Sequence, residues 1–260
     1  MKKSIMGLAV LLSGISLPGP GAGQAILNVE QLQSLQVDGL HGEVNGRLNL
    51  SRGNTDLFQV GGTLGAGFRA TRHWIRIFLG MDRLQQNDSR LVENRYVHLR
   101  TNYFFKDGLR SFHFLQIQTN RNLLLRRRWL LGSGLRVRAI GGSKGNLEVG
   151  SGLMYESENL REALLDEGEN PQTQVIRWSN LLVGSWTPAE GTRLVAVAYH
   201  QPDLRSLQDY RLLGELSLGV EISRALELRV SFDWRHDSRA PGTLESDDLS
   251  LKTGITFRTR

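Results

Sequence analysis

The amino-acid sequence predicts an all-β fold, a transmembrane antiparallel up-and-down β-barrel of about 12 strands, and three observations support it. Apolar and polar residues alternate in segment after segment between residues 40 and 260. The connections between these segments are alternately short and long. The chain has 29 glycines and only 6 prolines, which favours strands because proline cannot donate a hydrogen bond to a neighbouring strand.

The last segment illustrates the alternation. Leu249, Leu251 and Ile255 occupy one parity, and Ser250 and Lys252 occupy the other, so this strand has one apolar and one polar face. A soluble sheet whose apolar face packs on a protein core would show the same alternation. The repetition of the pattern along the chain favours the membrane barrel over a soluble sandwich.

Composition excludes several other classes of protein. With 22% charged residues, the chain is not a bundle of hydrophobic helices, and after residue 25 it lacks the apolar run of roughly 18 residues that a spanning helix needs. The absence of cysteine removes disulfide frameworks, thiol nucleophiles and thiolate metal sites. Without Lys2 and Lys3, 30 basic residues remain against 26 acidic ones. This small, dispersed excess does not predict nucleic-acid binding.

The N-terminus predicts export. Lys2 and Lys3 precede an apolar run over 5–17, and small residues and prolines follow it. This order is typical of a signal peptide, here 1–25 with cleavage after Ala25; the run is too short for the alternative, a membrane anchor. Residues 26–39 are then a periplasmic lead-in segment and 40–260 the barrel. We therefore expect a location in the bacterial cell outer membrane.

Twelve strands follow in order along the barrel segment. They are predicted at 40–51, 56–68, 73–84, 92–105, 110–120, 128–140, 146–157, 174–187, 193–201, 208–222, 226–236 and 247–259. An even number places both ends of a bacterial barrel on the periplasmic side. The short connections then fall on that side, at 69–72, 106–109, 141–145, 188–191 and 223–225. Most longer connections fall outside, at 85–91, 121–127, 158–173, 202–207 and 237–246, with 51–55 as a tight exception and a turn or two of helix within 158–173.

Aromatic residues occur near both predicted ends of the strands, as two interfacial girdles require. Trp74 and Phe112 do not fit, because each lies on the polar parity of its strand. We expect a bulge or a one-residue shift of register at these two positions.

Four short elements carry a family resemblance. They are Ser51-Arg-Gly-Asn-Thr-Asp56, Arg128-Trp-Leu-Leu-Gly-Ser-Gly-Leu135, Leu147-Glu-Val-Gly-Ser-Gly-Leu153 with Tyr155-Glu156, and Tyr199-His-Gln-Pro202. Over roughly 38–260 the sequence resembles the salt-induced outer-membrane proteins, domain of unknown function family 481. The resemblance implies an outer-membrane barrel and brings no established activity or site residues. Such barrels usually end in an aromatic residue for the barrel-assembly machinery, whereas here Phe257 is followed by Arg258-Thr-Arg260.

The polar parity of the strands predicts the lining of the barrel lumen. The candidate lining residues carry charges of both signs, apart from one histidine: Arg47, Arg76, His98, Arg100, Arg136, Arg138, Glu148, Arg211, Glu215, Arg229, Asp233 and Lys252. Eight strands leave an interior filled by side chains and sixteen leave an open channel, so twelve strands decide neither. Mixed charges either line a wet pore or pair across it and close it.

A second group of basic residues lies near the predicted outer rim. Arg121, Arg126, Arg127 and Arg128 offer guanidinium groups that match lipopolysaccharide phosphates. The alternatives are a solvated basic loop and, for Arg128, a side chain directed into the lumen. The expected partners are therefore outer-membrane lipid and lipopolysaccharide, the barrel-assembly machinery and small polar solutes.

Catalytic and metal-binding patterns are weak. His236, Asp237 and Ser238 are adjacent, but neighbouring residues of an extended chain point apart and do not form a relay. No histidine or acidic residues have metal-ligand spacing, so we expect no enzyme and no cofactor. The leading functional hypothesis is a narrow diffusion channel for small polar solutes. The alternatives are a non-conducting barrel for envelope integrity or surface binding and, as a minor one, an outer-membrane enzyme.

Overall fold

The computed structural model describes residues 38–51, 57–86 and 89–258. The predicted signal peptide, residues 26–37 of the lead-in segment and the Gly-Asn-Thr connection after the first strand lie outside these residues. Within the described part, no helix is both long and apolar enough to cross a membrane.

Twelve antiparallel strands form a closed barrel in which each strand pairs with its neighbours in sequence and the first pairs with the last. The strands are β1 (Gly39–Ser51), β2 (Leu57–Ala70), β3 (His73–Gln86), β4 (Ser89–Lys106), β5 (Leu109–Asn120), β6 (Leu125–Gly141), β7 (Gly145–Leu160), β8 (Gln172–Ala189), β9 (Thr192–Asp203), β10 (Ser206–Ser223), β11 (Leu226–Asp237) and β12 (Asp247–Arg258). The predicted fold class and strand order are confirmed. Most strands run one to three residues further than the alternation predicted, because pairing continues beyond the last apolar residue.

The two ends of the barrel differ. Connections of two or three residues, at 71–72, 107–108, 142–144, 190–191 and 224–225, define the short-turn end. The opposite, long-loop end carries the connections 121–124, 161–171 and 238–246 among the described residues. In place of the longer loop predicted at 202–207, it also has a two-residue connection at 204–205, because β9 and β10 extend into the predicted loop. The helix expected within 158–173 is a single 3₁₀ turn, Glu162–Leu164.

Large apolar side chains cover the outside of the barrel. Leu131, Leu182 and Phe232 are typical, with 59%, 45% and 45% of their surfaces exposed. A soluble sandwich would bury this parity in a core, whereas a membrane barrel presents it to lipid. The exposed apolar belt therefore excludes the soluble alternative.

Trp74 and Phe112 correct one expectation from the sequence. Neither strand bulges or shifts at these positions, because Trp74 pairs in register with Asn102, and Phe112 pairs with Gly134. Both aromatic side chains face the interior, where Trp74 is 2% and Phe112 is 3% exposed. Side chains of β3 and β5 therefore alternate regularly between the two faces of the sheet. The two aromatic residues occur on the polar parity because part of the interior is apolar.

Candidate functional site in the barrel interior

An apolar cluster fills one side of the interior. It contains ten buried residues from β5 to β10: Phe112, Phe114, Leu130, Met154, Leu181, Val183, Val195, Val197, Tyr199 and Leu213. None of them is more than 4% exposed. Since these strands are neighbours in the sheet, the cluster occupies the interior in front of half the wall.

Glycines on the inner face make room for the two phenylalanines. Gly132 and Gly134 of β6 lie opposite Phe114 and Phe112 of β5. A Cβ atom at either glycine would overlap ring atoms of the phenylalanine beside it. The Gly-Ser-Gly element that carried part of the family resemblance thus has a physical role. It lets aromatic rings lie flat against the inner wall.

Arginine side chains pack on the inward-facing aromatic rings. The guanidinium of Arg76 lies 3.5 Å from the ring centre of Trp74 and donates a 2.8 Å hydrogen bond to Asn102 Oδ1. Arg100 lies 5.4 Å from the ring centre of Phe112. Such cation–π contacts strengthen where water is excluded, so aromatic rings and buried arginines stabilise one another here.

Ion pairs in the short-turn half join residues of the same strand, of adjacent strands and of strands separated by one other strand. Glu148 of β7 accepts a hydrogen bond from Arg110 of β5 and forms an ion pair with Arg136 of β6. Arg229 of β11 lies 2.7 Å from Glu227 of the same strand and 3.4 Å from Glu43 of β1. The Arg229–Glu43 ion pair therefore reaches across β12. These buried groups have opposite charges in contact, as buried ionised groups require.

A larger set of charges, the long-loop ion network, crosses the interior in the other half. It comprises Arg128, Glu156, Glu158, Arg177, Asp209, Arg211 and Asp237. Arg211 of β10 is at its centre, 2.9 Å from Glu158 of β7 and 2.9 Å from Asp237 of β11. Because β8 and β9 separate β7 from β10 in the sheet, the Arg211–Glu158 pair bridges two intervening strands across the interior.

Every strand contributes a buried inward-facing residue to the short-turn half, and we call this set the closed layer. Its side chains are at most 7% exposed, and its glycine is buried as well. The members are Glu43, Gly65, Arg76, Arg100, Phe112, Arg136, Glu148, Val183, Val195, Ser217, Arg229 and Thr256. Water in an open channel would contact such residues, so their burial closes the interior at this depth.

The interior is partly exposed along β11 and β12 in the long-loop half. The side chain of Lys252 is 36% exposed, and its Nζ lies 2.7 Å from Asp233. Ser250 donates to the same carboxylate at 3.1 Å. These polar residues form a vestibule, which ends towards Thr256 and Glu43 of the closed layer, whose side chains are 0% and 1% exposed.

The structure distributes the predicted lining residues unevenly. Most are buried as described above, including His98, which contacts Gln116 at 3.0 Å, and Glu215. Arg138 instead lies at the short-turn end, where it pairs with exposed Asp107. The side chain of Arg47 lies outside the described part of the chain.

The predicted arginine cluster at the outer rim is divided. Arg121, Arg126 and Arg127 are exposed. Arg128 is only 1% exposed and pairs with Glu158 in the long-loop ion network. Arg128 therefore takes the lumenal position that the sequence left open, and it is not available to a lipid outside the barrel.

The adjacent residues His236, Asp237 and Ser238 do not form a catalytic relay. His236 faces outward and lies 3.1 Å from Asp247, whereas Asp237 is buried beside Arg211. The Ser238 hydroxyl accepts a hydrogen bond from the Tyr210 amide. Across the described residues, no group of three histidine or acidic side chains has an arrangement that would hold a metal ion.

Sequence reasoning missed three members of the long-loop ion network. Glu158 and Asp237 were placed in loops, and Asp209 was not assigned to the lumen. The strands of Glu158 and Asp237 extend past their predicted ends, and Glu158 keeps the inward parity of Glu156. Continuing the two-residue period beyond the apolar segment would have found Glu158.

Solved structures with the same fold are outer-membrane barrels. The translocator domain of the autotransporter NalP from Neisseria meningitidis matches with a TM-score of 0.54 and 14% identity, over 88% of this chain and 91% of that one. An outer-membrane channel from Pseudomonas putida F1 matches with a TM-score of 0.53 and 10% identity, over 86% and 96%. The NanC porin matches with a TM-score of 0.51 and 10% identity, over 84% and 100%. At these identities the likeness concerns the fold.

The family assignment comes from the sequence as a whole. No curated protein matches the chain. The profile of one family matches residues 48–258, a range that includes all four of the elements that carried the resemblance. This confirms the family predicted from those elements. The chain belongs to the family described as "Protein of unknown function, DUF481".

Proposed function

We propose that the protein is a bacterial outer-membrane barrel that is closed to solutes in its resting state and serves the envelope as a non-conducting barrel. The closed layer is the observation that supports this proposal, because all twelve strands contribute a buried residue to it. Export through residues 1–25 and insertion by the barrel-assembly machinery belong to the same proposal. It includes no catalytic step and no cofactor.

The energetics of the interior favour the closed state. The apolar cluster removes ten side chains from water, and full burial of one such side chain is worth about 1.5–3 kcal/mol. Separating a buried ion pair so that one charge loses its partner costs about 3–5 kcal/mol. A pore opening beside β5 to β10 would disrupt the cluster, and one opening beside β11 and β1 would separate ion pairs such as Arg229–Glu43.

The narrow diffusion channel predicted from the sequence remains the second candidate. One observation favours it, namely the water-accessible vestibule around Lys252 and Asp233 in the long-loop half. A small polar solute entering there would reach the closed layer after passing charges of both signs. Conduction would then require the closed layer to rearrange.

Conductance of the purified, refolded protein in planar lipid bilayers tests the proposal. We expect no stepwise current for the wild-type protein over the voltages that such bilayers withstand. Steady single-channel currents from the unmodified protein would overturn the closed barrel and favour the diffusion channel. Folding of the barrel is checked on a denaturing gel. A folded barrel migrates at a different apparent mass before heating than after it.

A variant with an opened interior provides the positive control. The double substitution Phe112→Ala and Phe114→Ala removes two rings from the closed side of the interior, and we expect it to produce measurable currents. The matched variant Phe232→Ala removes a ring from the lipid-facing side, where Phe232 is 45% exposed, and should remain silent. If both variants conduct equally, the currents arise from damaged lipid packing and do not report an opened lumen.

A further inference from the structure

A β-bulge places two arginines side by side on the outer wall of the barrel. In the pairing of β6 with β7, Leu125 pairs with Leu160, but Arg127 pairs with Asn159, so that Arg126 is one extra residue in β6. Leu125 and Arg128 are buried, whereas Arg126 and Arg127 are both exposed. Plain alternation would have turned one of the two inward; the bulge re-aims it.

The strand register next to this bulge forms a groove, which we call the outer groove. Arg127 of β6, Asn159 of β7 and Gln172 of β8 lie side by side in one row across the three strands. Trp129, Ser157 and Gln174 form the next outward-facing row, further from the long-loop end. The shorter side chains belong to the middle strand and form the floor between longer ones. The groove encloses about 200 Å³.

The polarity of the groove is well defined. Glu158 and Thr173 complete its lining, but the Glu158 carboxylate is 6% exposed and binds Arg128 and Arg211 on the inner side. The groove therefore presents guanidinium, amide, hydroxyl and indole groups to the outside. Its lining offers one cationic donor, Arg127, at the upper edge and neutral donors and acceptors on the floor. The exposed Arg126 precedes Arg127 and lies outside this lining.

The apolar belt begins directly below the groove. The next outward-facing row consists of Leu131, Tyr155 and Ile176, which align across the same three strands and are 59%, 41% and 44% exposed. Trp129 at the boundary is 39% exposed, the position that indole rings favour at a membrane interface. A ligand in the groove thus sits at headgroup level with lipid chains beneath it.

We propose that the outer groove binds the phosphorylated sugar headgroup of lipopolysaccharide. Arg126 and Arg127 would hold a phosphate through paired, charge-assisted hydrogen bonds. The amides of Asn159, Gln172 and Gln174 match the hydroxyl and amide groups of an acylated sugar, and the acyl chains would follow the apolar row below. This proposal rests on the outer-membrane location proposed above and is independent of the closed interior.

Binding of purified lipids to the refolded protein in neutral detergent, counted by native mass spectrometry, tests the proposal. The probes are bisphosphorylated lipid A, lipid A without phosphates, and phosphatidylglycerol. We expect the wild-type protein to bind bisphosphorylated lipid A at least tenfold more tightly than either of the others. Equal binding of phosphatidylglycerol would overturn the assignment to a sugar headgroup. Complete displacement of lipid A by inorganic phosphate would show a site for free anions and would also overturn it.

Matched arginine variants locate the site. The double substitution Arg126→Gln and Arg127→Gln should weaken binding of bisphosphorylated lipid A about tenfold or more without affecting folding, since both residues are exposed. Arg205→Gln with Arg239→Gln removes the same charge from other exposed positions of the long-loop end and should leave binding unchanged. Equal losses in the two variants, or none in the first, would contradict the proposal. Conductance is not expected to change in either, so a failure here is distinct from a failure of the closed barrel.

Discussion

Single residues decide how the interior is filled. Glycines on the inner face of β6 accept aromatic rings from β5, and Arg76 packs on Trp74 at 3.5 Å. In the sequence, Trp74 and Phe112 suggest errors of register, because most other residues of their parity are polar. Parity assigns a side chain to a face of the sheet, but it does not say what fills the space in front of that face.

Gly132→Ala tests the close approach of Phe114. The added methyl group would overlap the ring, so we expect a loss of about 1–3 kcal/mol in the free energy of unfolding, as overpacking typically costs. Denaturant unfolding followed by tryptophan fluorescence measures this loss. Gly184→Ala is the control, because its nearest neighbour would be Leu147 Cδ1 at 3.9 Å. Equal stability of the two variants would mean that Phe114 moves aside without cost.

The elements of the barrel are unequally joined. Adjacent strands such as β7 and β8 pair over fifteen positions. Within the described residues, β1 and β12 pair over four positions, from Glu43↔Arg258 to Gly46↔Ile255, and we call this short pairing the seam. Strand positions were predictable because alternation is local, whereas the extent of this seam depends on how the whole sheet closes. Side chains support the seam, since Asn45 donates to Thr256 Oγ1 at 3.0 Å.

Thr256→Val tests this support. The substitution keeps the shape of the side chain but leaves the Asn45 amide without its hydroxyl acceptor, so we expect faster amide hydrogen exchange confined to β1 and β12. Ser185→Ala removes a comparable 2.8 Å hydrogen bond to Asn146 from the long β7–β8 pairing and should change exchange little. Exchange that accelerates around the whole barrel in Thr256→Val would show that the seam is not a separate point of opening.

At the scale of the whole molecule, the protein has an apolar outside and a mixed, closed inside. The outer belt was predictable because lipid selects apolar residues on every second position. The closure was not, since it depends on contacts such as Arg211–Glu158 between strands that are not neighbours. The bulge at Arg126 was equally hidden, although it determines which arginines face outward.

Leu182→Arg tests the membrane-facing belt. Leu182 lies near the middle of β8 with 45% exposure, and an arginine on the lipid face near the bilayer midplane costs about 2–4 kcal/mol. We expect reduced insertion into lipid vesicles, measured by protection from added protease. Leu204→Arg is the control, because Leu204 is as exposed, at 48%, but lies in a connection at the long-loop end. Unchanged insertion of Leu182→Arg would contradict a lipid contact at that position.

The sequence by itself determined the number of strands, their order and the face that meets lipid. All three follow from a two-residue period, which is a local property of an extended chain. Only the tertiary structure decided that the interior is closed and that Arg126 and Arg127 share the outer wall with Trp129. The closure depends on contacts between strands across the barrel, and the position of the two arginines depends on one extra residue in β6. Neither can be predicted from the alternation of residues along a single strand.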